Sequence, residues 1–305
     1  MNKNKRVIFI GSCSYSGSTI LDLILGRVEN GISMGEIGRI FSPRRREHFA
    51  RECGCMQESC NYWDPVLKGG PNGLHLRAFR EYGVSTLVDS TKDPHWIKDR
   101  GDELRARGIE VINLLVWKTP SSIRKSFSKR GIEKRWKTSW KNYHKLYFSL
   151  INEFYPFPFK ALLGGKEEFS KRMENIGIDE YNMEYWNIPG HTLFGNDSAK
   201  RHLHDKGTKA YKTLQNRRDE VIMGKDKDFS HREIEDEVEI GREEGDRVIK
   251  RIHHFLEEND VITKPVGISS IPDRDIRFSR VSSSIRRYHQ LSKSIIPYFQ
   301  WKLLG

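Results

Sequence analysis

The sequence predicts an α/β fold: a three-layer α/β/α sandwich around a central parallel sheet, with a mainly helical C-terminal part. Two observations carry that expectation. Strand-like apolar runs alternate with helix-like ones, the pattern of parallel strands joined by crossover helices. The first run, Arg6 to Gly11, also passes through a glycine- and serine-rich stretch directly into the apolar, helix-like Ile20 to Gly26.

That first turn, Ser12-Cys-Ser-Tyr-Ser-Gly-Ser-Thr19, reads as a P-loop-like phosphate cradle. A helix N-terminus presents unpartnered backbone N–H groups and a partial positive charge, so an anion is held there without a dedicated cation. Gly11 and Gly17 are expected to let the backbone curl around the anion, with Ser14, Tyr15, Ser16, Ser18 and Thr19 lining it. The loop departs from the G-x-x-x-x-G-K-[ST] pattern, because five residues separate the glycines and Ser18 replaces the lysine. This argues against an ATPase or GTPase gripping a β,γ-diphosphate with magnesium.

Gly31 to Glu36 reads as a short strand ending in a turn, and the region of about 41–75, rich in arginine, then cysteine, then proline and glycine, as a loop-heavy insertion. Val84 to Val88 has strand composition and delivers Asp89-Ser-Thr-Lys-Asp-Pro94; Ile97 to Arg107 reads as a helix stopped by Gly108. Ile109 to Val116 is the clearest buried strand, followed by Lys118 and by Thr119 as cap of a helix opening at Pro120. In such sheets ligands gather beyond the carboxyl ends of the strands, where these turns fall. The aromatic, lysine-rich stretch of about 131–187 is broken by Pro156, Pro158, Gly164 and Gly165 and reads as a helical cap packing its own rings. Ile188 to Asp197 is expected to return to the sheet as a last strand, and the chain beyond Gly207 to form charged helices. The α/β domain is expected to span about 1–265, with a basic extension over 266–305. That extension offers a surface for peripheral membrane contact or a second subunit, although docking on its own domain is the favoured reading.

Across 305 residues, 31% charged and 36% hydrophobic, the net charge is +12. Such a surface implies an anionic partner. No RNA-binding signature, zinc-finger spacing or basic heptad region appears, so nucleic acid is not expected and a nucleotide with an acceptor is preferred. The phosphate loop begins close to Met1 and no apolar run spans a bilayer, which gives an expectation of a cytoplasmic protein. Of four cysteines, Cys53, Cys55 and Cys60 cluster. Packed reduced thiols are favoured there over a zinc site completed by His48, with a Cys55–Cys60 disulfide as a third option. Cys13, with no paired base nearby, reads as loop packing.

In this order the segments resemble the sulfotransferases that use 3′-phosphoadenosine 5′-phosphosulfate (PAPS), similar also to their bacterial and protein-tyrosine members, over about residues 5–205. In that family a strand-loop-helix like Ile10 to Thr19 binds the 5′-phosphosulfate, and an arginine-x-proline motif followed by a serine binds the 3′-phosphate. Lys118, Pro120 and Ser126 match the second motif, with lysine in place of arginine. Met34-Gly-Glu36, Asp89-Ser-Thr-Lys-Asp-Pro94, Gly195-Asn-Asp197 with Lys200 and Arg201, and the cysteine cluster leading to Trp63 match further family segments. The resemblance implies sulfonate transfer from PAPS to a hydroxyl, with no metal. The acceptor is expected to be a carbohydrate or other small hydroxylated metabolite. Glu36 is implied as general base, unless it is a turn carboxylate or a partner of Arg39; Asp89 is read as orienting its neighbours, with acid/base work as the alternative. His95 and His191 are read as packed or exposed. The family's loop cation is replaced by Tyr15, and Lys92 is the candidate to supply the missing charge. A P-loop nucleotide or small-molecule kinase, or a noncatalytic nucleotide-binding module, are the alternatives.

Overall fold

The computed structural model describes residues 5–43, 52–55, 57, 59–178, 181, 183, 190–196, 199, 207, 212, 247–260 and 264–267. Its sheet contains β1 (Arg6–Ser12), β2 (Gly31–Gly35), β3 (Thr86–Asp89), β4 (Glu110–Trp117), β5 (Glu153–Pro158) and β6 (Val266–Gly267), in the spatial order β2-β3-β1-β4-β5-β6. Neighbouring pairs from β2 to β5 are parallel, and β6 joins antiparallel at the start of β5.

Alternation along β1 decides which face each residue covers. Val7 and Phe9 pack with Leu87, Leu115, Trp117 and Phe154 on one side. That side is closed by α3 (Leu74–Tyr82), α4 (Pro94–Arg105), α6 (Trp136–Leu150) and α8 (Arg247–Glu258), through Phe79, Ile97, Trp140 and Phe255. Ile8 and Ile10 pack on the other side with Val88, Leu114 and Val116, against α1 (Ser18–Leu25) and α7 (Gly165–Asn175). Helices therefore cover both faces of a mostly parallel sheet, as the alternating pattern predicts. The other α-helices among the described residues are α2 (Asp64–Leu67) and α5 (Pro120–Ser128).

The aromatic cap is the main correction. Glu153–Pro158 is a strand of the sheet, paired with β4 from Leu114↔Tyr155 to Trp117↔Pro158. The two prolines read as breakers, yet they lie past the short pairing with β6, on an outer edge where no described residue asks an N–H of them. Phe154 meets the rings of Tyr147 and Phe148 at 5.3 and 5.6 Å, so these aromatics belong to the central core. The expected last strand over Ile188–Asp197 reduces, in its described part, to Leu193, which bridges Gly35 and Cys53. The sheet also runs on to Gly267, just past the expected boundary at 265. The acidic run of 233–244 and the basic tail after Pro272 lie outside the described residues.

Helix α4 begins at Pro94 rather than Ile97, because Asp93 caps it: its carboxylate accepts from the His95 N–H at 3.0 Å. Asp93→Ala is expected to lower stability by about 1 kcal/mol, read as a shifted urea midpoint at unchanged slope. Thr119 caps α5 as predicted, accepting from the Ser122 N–H at 3.3 Å.

Candidate functional site

The turn between β1 and α1 is built for close approach of backbone. Gly17 precedes α1 with φ of 93°, and a Cβ there would lie 2.3 Å from the Phe159 ring, so conformation and space both require glycine. The N–H groups of Ser18 and Thr19 precede the helix's first backbone bond, that of Ile20 to Gly17, and offer an anion site. Ser16 is 1% exposed, and its hydroxyl has no hydrogen-bond partner among the described residues. Ser14 is exposed on the same turn. Gly11 serves another purpose than the curl expected of it. It is a residue of β1, and a Cβ there would lie 2.3 Å from the Tyr147 ring.

Tyr15 holds a left-handed φ of 71°, which a non-glycine residue adopts at a cost and which concentrates at working sites. Its ring stands edge-on to Phe127 at 5.1 Å, and the Arg130 guanidinium lies 4.0 Å from its centroid. A cation therefore does reach this loop, stacked on the Tyr15 ring. Spacing gives no hint of Arg130.

At the ends of β2 and β3 the structure brings Glu36 and Lys92 together. The Lys92 ammonium donates to Glu36 Oε1 at 2.5 Å and the Arg39 guanidinium to Oε2 at 3.2 Å. Burial pushes the Glu36 carboxyl up, but the charges of Lys92 and Arg39 more than offset it and hold it down to about 2. Lys92 has φ of 66°, a second left-handed non-glycine residue at this end of the sheet. Asp89 is completely buried and shapes the turn that carries Lys92. Its Oδ1 accepts from the Thr91 N–H at 2.9 Å, and its Oδ2 accepts from Trp96 Nε1 at 2.8 Å and faces His75 Nε2 at 3.0 Å. This is the orienting role expected of it.

Beyond β4, on the other side of β1, Lys118 Nζ lies 3.4 Å from Ser126 Oγ, so the pair eight residues apart does converge. The same ammonium sits 3.9 Å from the centroid of Phe159. Phe159 thus spans from Lys118 to Gly17, tying the two turns together; it follows β5, the strand that sequence reasoning missed. The Asn196 N–H donates to Thr19 Oγ1 at 3.1 Å, bringing the Gly195-Asn196 segment to the start of α1. Asp197, Lys200 and Arg201 lie outside the described residues.

Beneath the turns, Asp22 of α1 is wholly buried. Burial pushes its carboxyl up to about 7, against a hydrogen bond donated by Ser33 Oγ at 2.8 Å. Cys13 is equally enclosed, and burial pushes its thiol up to about 12, which suits packing and not nucleophilic attack. Among the other cysteines the partner is His191: its Nδ1 lies 3.7 Å from Cys53 Sγ and 3.4 Å from Cys60 Sγ. His48 lies outside the described residues.

No protein-family model matches this chain, and a search of curated proteins finds no match either. Among the described residues no helix is long and apolar enough to cross a membrane.

Proposed function

We propose that this chain is a PAPS-dependent sulfotransferase on a P-loop-like frame, transferring a sulfonate group to a hydroxyl of a carbohydrate or another small hydroxylated metabolite. The observation that carries the reading is the Lys118–Ser126 pair standing beside the β1–α1 turn, on strands that are direct neighbours. Two anion receptors on adjoining strands suit a nucleotide that bears phosphates at both ends of its ribose. The turn from Ser14 to Thr19 takes the 5′-phosphosulfate, and the cation and hydroxyl take the 3′-phosphate.

In the transfer the acceptor oxygen attacks sulfur in line while the bond from sulfur to the bridging phosphate oxygen breaks. The acceptor proton passes to Glu36, and 3′-phosphoadenosine 5′-phosphate departs. A carboxylate held near 2 by two cations is a weak base. Donor binding recruits Lys92 to the bridging oxygen, where charge develops. The same movement frees Glu36 of one cation and raises its basicity. One group thus supports the leaving phosphate and releases the base.

Calorimetry without metal tests the donor site, comparing 3′-phosphoadenosine 5′-phosphate with ADP. Charge-assisted contacts worth about 1.5–3 kcal/mol predict about 10- to 100-fold tighter binding of the 3′-phosphorylated nucleotide, and Lys118→Ala removes most of that preference. Equal or preferential binding of ADP would overturn the reading. Tyr15 favours one other reading, a noncatalytic nucleotide-binding module, since its ring takes the place of the family's loop cation. Tight nucleotide binding with no turnover across a broad acceptor panel would select it.

A further inference from the structure

We propose that Cys53, Cys55, Cys60 and His191 form a structural zinc site that fastens the 190–196 segment to the edge of the sheet beside Glu36. The ligand atoms of these four residues all lie within 4.8 Å of one another. Zinc bonds of about 2.3 Å to sulfur and about 2.0–2.1 Å to nitrogen, set tetrahedrally, place sulfur and nitrogen about 3.5 Å apart. The distances of 3.4 and 3.7 Å from His191 Nδ1 to Cys60 and Cys53 Sγ match that separation. All three thiols are free of disulfides, and each is partly exposed, so an ion has a route in.

The surroundings are built to hold this arrangement. The His191 ring lies flat on Tyr62, with centroids 3.8 Å apart and planes within 4°, and Tyr62 stacks in turn on Tyr82 at 4.4 Å. The Trp63 indole N–H donates to the His191 carbonyl. Between the first two cysteines, Gly54 donates its N–H to the Thr192 carbonyl at 2.9 Å; a Cβ there would lie 2.9 Å from the Gly190 carbonyl, too close for any larger residue. The cysteine turn and the His191 segment are therefore in backbone contact, with the imidazole aimed by stacking at two thiols. A C-x-C-x4-C run alone has too few ligands for a closed site; His191, 131 residues beyond Cys60, completes the four.

The site has a mechanical consequence. Two residues beyond the histidine, the Leu193 carbonyl accepts the N–H of Glu36 at 2.8 Å, and Leu193 bridges Cys53. Four bonds to one ion would hold this strap against the sheet edge and fix the backbone of Glu36. The ion lies outside the transfer chemistry, and the inference does not depend on the donor reading.

The test uses the full chain, expressed with zinc in the medium and dialysed. Elemental analysis is expected to give one zinc per chain, and cobalt exchanged for it to show the visible bands of a tetrahedral thiolate-rich site. His191→Ala and Cys60→Ser lose the metal, Cys13→Ser keeps it, and His191→Cys restores it with a sulfur-richer cobalt spectrum. Thiol titration in chelator and denaturant should find all four cysteines reduced. Wild-type protein that holds no zinc and takes up no cobalt, or that titrates as two thiols with one disulfide, overturns the proposal.

Discussion

Glu36→Gln is expected to lower the proposed sulfonate transfer by about 10²- to 10⁴-fold, the range for removing a general base, which is the role proposed for it, while donor affinity stays within a few-fold. Lys92→Ala should nearly abolish turnover, since in the proposed mechanism it removes the cation offered to the leaving phosphate. The two substitutions also act on folding. Lys92 and Arg39 face Glu36 with side chains only 16% and 8% exposed, and stripping one partner from a buried pair costs about 3–5 kcal/mol. Glu36→Gln together with Lys92→Met should cost less than the sum of the single changes, which separates loss of structure from loss of chemistry. The pH profile gives an independent check. Without donor the carboxylate is held near 2. If Lys92 moves to the donor, the acid limb of kcat lies at higher pH than that of kcat/KM. Coincident limbs would leave Lys92 on Glu36 throughout, and a Lys92→Ala variant with normal turnover would remove it from the mechanism.

Asp22→Asn is expected to stabilise the protein at neutral and alkaline pH. The carboxyl is raised from 3.8 to about 7 in the fold, so between those values the folded chain keeps a proton that the unfolded chain has released. Its contribution is complete below the lower value and is lost as pH rises through the upper one. The interval corresponds to about 4 kcal/mol. Urea unfolding at about pH 8 should show Asp22→Asn more stable than wild type by up to that amount, and the advantage should vanish near pH 4. A difference constant across pH would mean that Asp22 carries no trapped proton.

Legibility in the sequence followed the range of the interaction. The turns at Ser12–Thr19, Gly35–Glu36, Asp89–Lys92 and Lys118–Pro120 were readable because each is a local event, an apolar strand stopped by small or polar residues and followed by a helix. The convergence of Lys118 on Ser126 was readable for the same reason, since Lys118 lies just before one short helix and Ser126 in its last turn. Strand β5 was hidden because Pro156 and Pro158 signal a break, yet among the described residues they face no outer partner that would need an N–H from them. His191 was hidden by distance, since nothing in the C-x-C-x4-C run indicates which remote histidine faces it. Arg130 was missed because its approach is by stacking on Tyr15, which leaves no mark at position 15 itself. Asp22 reads as an ordinary helix residue until β2 and the Thr192 hydroxyl, which donates to Ser33 at 2.8 Å, close over it.

The place of β1 in the sheet bears on how the chain is made. It is first in sequence but central in space, with Thr86–Asp89 on one side and Glu110–Trp117 on the other. A ribosome adding about 5–20 residues per second needs about 4–15 s to go from the end of β1 to the end of β3, the first of the two to be made. Through that interval Val7, Ile8, Phe9 and Ile10, all fully enclosed in the finished fold, have neither of the strands that will flank them. This apolar N-terminal stretch is where nascent-chain aggregation competes longest with folding, and where a chaperone that shields exposed strands has most to protect.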